Sequence, residues 1–473
     1  MKARLDSPFE IWGGFRKVPD GSPFIHGRLY YDPEHGVKLD LVENPGGIQS
    51  LGQGDEQSLR TIYGQLVDGT PVTLSDCFIS RTSVQIGIGI GSPTTLVVNR
   101  ALFGRHVADM EQMLVREYSQ ELSSLSTWTC APSAKVDLVK DKAMRGVDIS
   151  YRIPNSITVP LPDRQFDVRI THSMSTSSEV CTSGLKWSAA IAVLPHDALP
   201  LETVNEIAWQ FQNLMSLLIG ARLSTRMIAI IAHDNSTDVA VRVPALKFVY
   251  HQRGRHDHKD LYPPQMLLPY SVVKDEFPTM VGKWFGRPTQ AVLATNVFFG
   301  SQDMRSTAVD VRFMAAAQAA ESFHRSLGTG LYMDQAAYDD AVQELANHIP
   351  PSIQGDHRQS LKNRLKYGNE HSLRKRLMDM LRRIPEDTGR RIAGDVEKFV
   401  VKVVDTRNYL AHYDGSLQAN AFEGKALYAA AERLRILVTV NLLHDLGIKD
   451  EDLATVLERS REFKHWLSEP LIL

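Results

Sequence analysis

The segment Asp395–Asp414 reads DVEKFVVKVVDTRNYLAHYD and predicts the end of a long amphipathic helix. A stripe with the helical spacing i, i+3, i+7, i+10 runs along it: Val400, Val403, Arg407 and Leu410. The charged Arg407 therefore occupies a position that belongs to the core, which is costly unless the guanidinium is paired or faces a cleft. His412 lies one helical turn after Asn408, so these two side chains point the same way.

An arginine and a histidine that meet in a cleft suit the cleavage of RNA by its own 2′-hydroxyl. Arginine presents a planar fork to phosphate oxygens and stays charged. Histidine takes up or gives off a proton near neutral pH. This scheme requires no metal. The plainer alternative is a buried Arg407 paired with Asp405 or Glu397, and a surface His412 without a chemical role.

The remainder of the chain divides into two regions of different character. Short alternating runs between Gly, Pro, Asn and Asp predict a β-rich module over residues 1–300, with helical insertions at Arg105–Leu122 and Leu201–Ile219. Helical periodicity predicts an all-α bundle over residues 305–473. We therefore expect an α+β multidomain protein. Further predicted strands include Ser83–Ile90 and Val239–Val243, and the predicted bundle helices are about His357–Ile384, Ile392–Tyr413, Gly424–Leu446 and Glu451–Leu467.

A basic stretch precedes the motif, although the whole chain has a formal charge of only −2. Between Arg358 and Arg391, 11 basic and 4 acidic residues give a local charge of 11 − 4 = +7. One interpretation is a solvated helical face, and the other is a track for RNA phosphates. The candidate RNA-binding residues are Arg374, Lys375, Arg376, Arg382 and Arg383.

Several classes of protein and of site are disfavoured. The 3 cysteines are far apart and form no CxxC pair, which argues against a disulfide framework or a cysteine zinc site. No secretory leader and no apolar run of membrane-spanning length is evident, so we expect a cytoplasmic protein without a membrane partner. His251, His256 and His258 lie among arginines and lysines, which favours a polar loop over a metal site. We expect neither a metal nor a cofactor.

The string DTRNYLAHYD resembles the Arg-polar-x3-His motif of HEPN domains, and in its full length the HEPN domain of ApeA anti-phage proteins. The layout of the first half is similar to the ApeA N-terminal domain. It has Gly64-x4-Gly69, then Val72-Thr73-Leu74, then a segment that ends at Trp128.

The resemblance implies a metal-independent endoribonuclease that acts as a toxin in abortive infection. Arg407 would stabilise the phosphate, His412 would carry out acid–base catalysis, and Asn408 would orient the 2′-hydroxyl or the other two side chains. Glu321, His324 and Arg325 are weaker candidates for supporting residues. The partners it implies are RNA of host or phage, tRNA included, a second copy through the HEPN domain, and a phage-derived trigger acting through a regulatory N-terminal domain. The alternative is a non-catalytic HEPN protein that binds RNA or a partner, or senses a ligand, and dimerises through its bundle.

Overall fold

The computed structural model describes residues 3–17, 23–43, 60–82, 93–129, 135–140, 145–178, 183–233, 245–251, 259–303, 307–328 and 330–471. The chain divides into two compact units, Met1–Asp275 and Glu276–Leu473.

Six antiparallel strands of the first unit close into a barrel. Around it they follow the order β6-β3-β2-β1-β4-β5, and β5 pairs with β6 to complete the ring. Alternate side chains point inward, so Phe15, Leu29, Leu39 and Leu96 are buried while their neighbours face outward. The six strands are β1 (Phe9–Arg16), β2 (Ile25–Asp32), β3 (Gly36–Leu41), β4 (Thr61–Leu66), β5 (Pro71–Thr82) and β6 (Thr94–Phe103).

Glycine is required at the two positions of the Gly64-x4-Gly69 motif for different structural reasons. A Cβ on Gly64 would lie 2.7 Å from the ring of Phe15, so only glycine fits at this point of the barrel core. Gly69 has a φ of +81° in the turn between β4 and β5, a conformation that glycine adopts without strain.

A second group of strands continues from the barrel through the pairing of β6 with β15. The helix α2 packs against β7 and β12 of this group. Its elements are β7 (Leu114–Leu122), α1 (Leu125–Thr129), β10 (Ile157–Leu161), β11 (Phe166–Ser178), β12 (Ser183–Pro195), β13 (Leu199–Pro200), α2 (Leu201–Ile219), β14 (Thr225–Ala232), β15 (Leu246–Tyr250) and α3 (Tyr270–Val273). Between α1 and β10, the strands β8 (Lys135–Lys140) and β9 (Arg145–Ser150) pair with each other as a separate two-stranded sheet.

The second unit is built of helices around a central one, α13, which packs most extensively on α6. Sixteen residues of α13 are buried, because it is apolar nearly all round. The helices are α4 (Phe277–Phe285), α5 (Thr289–Gln302), α6 (Val309–Ser326), α7 (Gln335–Asn347), α8 (Gly355–Lys366), α9 (Leu373–Arg382), α10 (Glu386–Ala393), α11 (Val396–His412), α12 (Gly415–Gln418), α13 (Gly424–Leu446), α14 (Asp450–Arg459) and α15 (Arg461–Ser468).

The expected α+β architecture is confirmed, and the helices Leu201–Ile219 and Gly424–Leu446 have the predicted bounds. The predicted helix Arg105–Leu122 is wrong, because its second half is strand β7. Its pairing with β14 skips Arg116, and this bulge puts Val115 and Tyr118 on the core side with a helix-like spacing of three.

Three further helix predictions need correction. His357–Ile384 is two helices, α8 and α9, and Glu451–Leu467 is also two, α14 and α15. Ile392–Tyr413 begins later, at Val396, because Gly394 has a φ of +70° and separates α10 from α11.

Helices already begin before residue 300, since α4 and α5 belong to the second unit. The functional ranges 1–300 and 305–473 stay predictions. Ser83–Ile90, Val239–Val243, His256 and His258 lie outside the described residues. Within those residues, no helix is long and apolar enough to cross a membrane.

Candidate functional site

The motif lies on the last turns of α11, whose first half is anchored in the bundle. The Asp395 carboxylate caps the helix by accepting a hydrogen bond from the amide of Lys398, 3.1 Å away. Phe399, Val400 and Val403 are buried, and α11 packs on α6 and α9.

Thr406 fixes the returning chain against α11. Its Oγ1 donates to the carbonyl of Lys402 at 2.6 Å and accepts from the amide of Phe422 at 2.9 Å. Because the side chain is fully buried, these bonds form away from water and hold this level of the helix in place.

Arg407 continues the buried stripe to the point where burial ends, and its side chain is half-buried. Its Nη1 donates to Oδ1 of Asn408 at 3.2 Å. Among the described residues it forms no salt bridge, and Asp405 instead accepts a hydrogen bond from Asn420. The plainer alternative of an Arg407 paired with Asp405 or Glu397 is therefore wrong, and the cationic fork is open to an anion from outside.

His412 is the last residue of α11 and is exposed. Tyr413 ends the helix in the left-handed conformation, with φ 52°, and its amide donates to the carbonyl of Tyr409. The rings of Tyr409 and Tyr413 meet edge to face, 6.1 Å apart. The imidazole is thus presented to solvent at the end of the helix, with the exposed ring of Tyr413 beside it.

Asp414 follows at once and caps the short helix α12. The hydroxyl and amide of Ser416 both donate to its Oδ1, at 2.7 and 3.0 Å. These bonds, and to a smaller extent the nearby His412, hold the pKa of the Asp414 carboxyl below its usual range. A carboxylate therefore stands close to the exposed imidazole.

Within one chain the structure brings Arg407 and Asn408 together but does not join Arg407 to His412. On an ideal helix, residues five apart are rotated by about 140° and separated by about 7.5 Å along the axis. Among the described residues no hydrogen bond links the two side chains.

A second polar cluster lies between α6 and α9. The guanidinium of Arg376 is buried, donates to the carbonyl of His371 at 2.8 Å and lies 3.3 Å from Nδ1 of His324. Since arginine only donates, Nδ1 accepts and the proton of His324 lies on Nε2, facing Asp379 Oδ2 at 3.4 Å. Burial, reinforced by the charge of Arg376, lowers the pKa of His324.

The side chains of His324, His371 and Asp379 bring three ligand-type atoms within 4.8 Å of one another. Two features of the cluster disfavour a metal ion there. The Nε2 proton of His324 occupies a would-be ligand position, and the ammonium of Lys375 lies 2.5 Å from the other oxygen of Asp379. The cluster therefore reads as an internal ion-pair network that ties α6 to α9.

Some of the other candidate residues take part in ion pairs, and others are exposed on the surface. Glu321 and Arg325 pair at 3.1 Å, and Arg325 also reaches Glu370 at 2.6 Å. Of the five candidate RNA-binding residues, Arg374 and Arg382 are exposed, Lys375 pairs with Asp379, Arg383 pairs with Asp445 at 2.5 Å, and Arg376 is buried.

Sequence reasoning missed the network around Arg376, although the information to find it was present. Arg376 stands one position before Leu377 and four before Met380, both fully buried, so it lies on the apolar stripe of α9 just as Arg407 does on α11. A charge count over the whole stretch obscured this placement.

Comparison with known proteins identifies both parts of the chain. Residues 11–284 match the family described as ApeA N-terminal domain 1, and residues 314–452 match the Apea-like HEPN family. No curated protein and no solved structure gives a significant match. The first match alone covers more than half of the chain, and with the HEPN match following it the chain belongs to the ApeA family of anti-phage HEPN proteins.

Proposed function

We propose that this protein is a metal-independent endoribonuclease of abortive anti-phage defence, with Arg407, Asn408 and His412 as its catalytic residues. The observation that carries the proposal is the half-buried guanidinium of Arg407 without a carboxylate partner among the described residues. An arginine held in this way at the edge of a core is suited to bind an anion that arrives from solvent, and RNA supplies a phosphate.

The chemistry follows from these three side chains. The fork of Arg407 stabilises the charge that develops on the phosphate as the 2′-hydroxyl attacks. His412 takes the proton of the 2′-hydroxyl or gives one to the leaving 5′-oxygen, and with two copies present each step has its own imidazole. The side-chain amide of Asn408 accepts a hydrogen bond from the guanidinium through its oxygen and donates one to the substrate through its nitrogen.

A homodimer completes the site in this proposal. Within one chain Arg407 and His412 are about 140° apart around the helix. A second motif helix packed alongside would set the His412 of one copy beside the Arg407 of the other. The exposed His412 and the exposed ring of Tyr413 leave room for such packing. The exposed Arg374 and Arg382 are proposed to guide RNA phosphates, and the N-terminal region is proposed to restrain the nuclease until a phage component releases it.

The test is RNA cleavage by the purified full-length protein in EDTA, with and without lysate of phage-infected cells. Arg407→Ala and His412→Ala are compared with Arg461→Ala and His465→Ala, which remove the same side-chain types from exposed positions on α15. We expect cleavage by the parent and both controls, and none by the two motif variants. Equal cleavage by all five proteins would overturn the assignment of the site.

Dimerisation has its own readout. Sedimentation velocity should show a dimer at the concentrations at which cleavage is observed, and an equimolar mixture of Arg407→Ala and His412→Ala chains should recover part of the activity if one composite site draws on both. A monomer with full activity would contradict the composite site.

The second candidate function is a non-catalytic HEPN module that binds RNA or a partner. The observation in its favour is that Arg407 and His412 do not meet within one chain. RNA binding by the parent with no cleavage under any triggered condition, and with binding lost in Arg407→Ala, would favour this candidate.

A further inference from the structure

The outer surface of the N-terminal barrel carries an ordered set of aromatic and cationic side chains. Two rows of residues cross it on adjacent strands, and cross-strand pairing fixes their order. The first row is Trp12, Arg28, Asp40, Thr95 and Arg81. The second row is Glu10, Tyr30, Lys38, Val97 and Phe78.

These rows face solvent, because the residues between them face the core. Leu29, Leu39 and Leu96 alternate with the row members along their strands and are fully buried. Trp12 and Phe78, by contrast, are 54% and 51% exposed. The two rings stand at opposite ends of these rows, on β1 and β5, four strand positions apart along the rows, or roughly 19 Å measured along the curved surface of the closed barrel.

Two arginines lie against rings on the same surface. The guanidinium of Arg28 lies 5.0 Å from the ring centre of Tyr30, and that of Arg16 lies 4.6 Å from the ring centre of Phe24. Phe24 covers β1 at Gly14, two residues from Trp12, since a Cβ on Gly14 would be 3.0 Å from it. Phe24, Trp12, Tyr30 and Phe78 together form what is called here the aromatic face.

The charges of the two rows favour an anionic ligand. Both carboxylates, Glu10 and Asp40, already pair with Arg28, at 3.5 and 2.8 Å. Lys38 and Arg81 form no salt bridge among the described residues, so their charges are available to a ligand. Flat rings that bases can stack on, combined with uncommitted cations that phosphates can reach, are the chemistry that binds single-stranded nucleic acid.

We propose that the aromatic face binds a single-stranded polynucleotide, with Trp12 and Phe78 as stacking residues and Lys38 and Arg81 as phosphate contacts. Lysine is depleted in protein–protein interfaces, so the uncommitted charges of Lys38 and Arg81 favour a polyanion over a protein partner. A duplex buries its bases and offers the rings nothing to stack on. This site is separate from the Arg407 motif and binding to it requires no cleavage. The binding proposal can therefore be tested independently of the nuclease proposal.

The test is fluorescence anisotropy of labelled 20-nucleotide oligo(U), oligo(dT) and an RNA duplex with the full-length chain, in an Arg407→Ala background that leaves RNA intact. Trp12→Ala and Phe78→Ala should each weaken binding of the single strands by about 5- to 150-fold, the factor for one lost stacking contact. Trp12→Phe keeps a ring and should retain most of the affinity. Tyr262→Ala removes an exposed ring outside the barrel and should bind like the parent.

Comparison of the affinities for oligo(U) and oligo(dT) shows whether the aromatic face prefers RNA or DNA. Lys38→Ala and Arg81→Ala should each reduce the salt dependence of log K by about 0.7, the value for one phosphate contact with a single strand. Binding unaffected by both Trp12→Ala and Phe78→Ala would overturn the proposal. Duplex binding that is as tight as single-strand binding, and as sensitive to these variants, would overturn it as well.

Discussion

The guanidinium of Arg407 donates a hydrogen bond to the side-chain oxygen of the next residue, Asn408, at 3.2 Å. Successive helical residues point about 100° apart, so this bond draws the guanidinium around the helix. Asn408 is only about 40° from His412. The bond therefore brings the positive charge toward the imidazole's side of α11, which the Arg407 backbone position alone does not do.

Two substitutions of Arg407 distinguish the contribution of its positive charge from that of its planar guanidinium. Arg407→Ala should lower RNA cleavage by about 10²–10³-fold, the usual loss for one group that stabilises transition-state charge. Arg407→Lys keeps the charge but not the fork and should recover only part of that loss. Initial cleavage rates in EDTA measure both, with Arg461→Lys as the matched control. Full activity in the lysine variant would mean that the charge alone matters.

Asn408 should act by positioning Arg407. Asn408→Ala removes the acceptor and frees the guanidinium, so cleavage should fall while the protein still binds RNA. Asn408→Asp should be more damaging to binding, because a carboxylate at this place would pair with Arg407 and compete with phosphate. Comparing the Kd for RNA with the cleavage rate distinguishes the two. Equal effects of both substitutions on Kd would contradict this role.

We expect Arg376 to stabilise the fold and the nearby Arg374 to contribute to RNA binding. Arg376→Ala leaves the carbonyl of His371 and Nδ1 of His324 without their buried donor, a loss of about 1.5–3 kcal/mol. For a unit of this size the melting temperature should fall by about 3–12 °C. Arg374→Ala, at an exposed position, should melt like the parent and reduce the salt dependence of RNA binding. The opposite pattern would place Arg376 among the RNA contacts.

His324 should make the helical unit sensitive to mild acid. Burial and Arg376 favour its neutral form in the folded protein, so its folded pKa is lower than in the unfolded chain. The unfolded state then binds more protons, and the free energy of unfolding falls as the pH drops below about 6.5. Arg376 and Asp379, which face it, keep their charges between pH 5 and 8, and His371 is a further titratable neighbour with its ring centre 6.0 Å away.

His324→Gln keeps an acceptor and a donor but cannot titrate. Urea unfolding at pH 5, 6, 7 and 8 should therefore show a smaller loss of stability in acid for this variant than for the parent. His348→Gln, at an exposed position after α7, is the control and should follow the parent. Parallel pH profiles for all three proteins would exclude His324 as the origin of the acid sensitivity.

The predictability of this protein from sequence differs between its elements for physical reasons. The helix Gly424–Leu446 was predicted with its observed bounds because it is long, apolar and flanked by breakers. The strand Leu114–Leu122 was mistaken for a helix because a bulge at Arg116 changes the alternation, and a bulge is set by the partner strand. Arg407 stands out as a candidate because a charge interrupts an apolar stripe and its string resembles the HEPN motif, whereas the same pattern at Arg376 is hidden among neighbouring cations.

The helices α4 and α5 should determine whether the helical unit folds alone. The rings of Phe298 and Phe299 are 5.1 Å apart, Trp284 lies 6.5 Å from Phe299, and α5 packs closely on α6. A fragment of residues 276–473 keeps these contacts, whereas a fragment of residues 305–473 exposes the apolar surface of α6 that α5 covers. We expect the longer fragment to be soluble, with a cooperative melt by circular dichroism, and the shorter one to aggregate or melt at lower temperature.

If residues 1–275 restrain the nuclease, the folded longer fragment should also cleave RNA without a phage trigger, and Arg407→Ala in that fragment should abolish the cleavage. A stable, inactive longer fragment with an intact motif would count against restraint by the N-terminal unit.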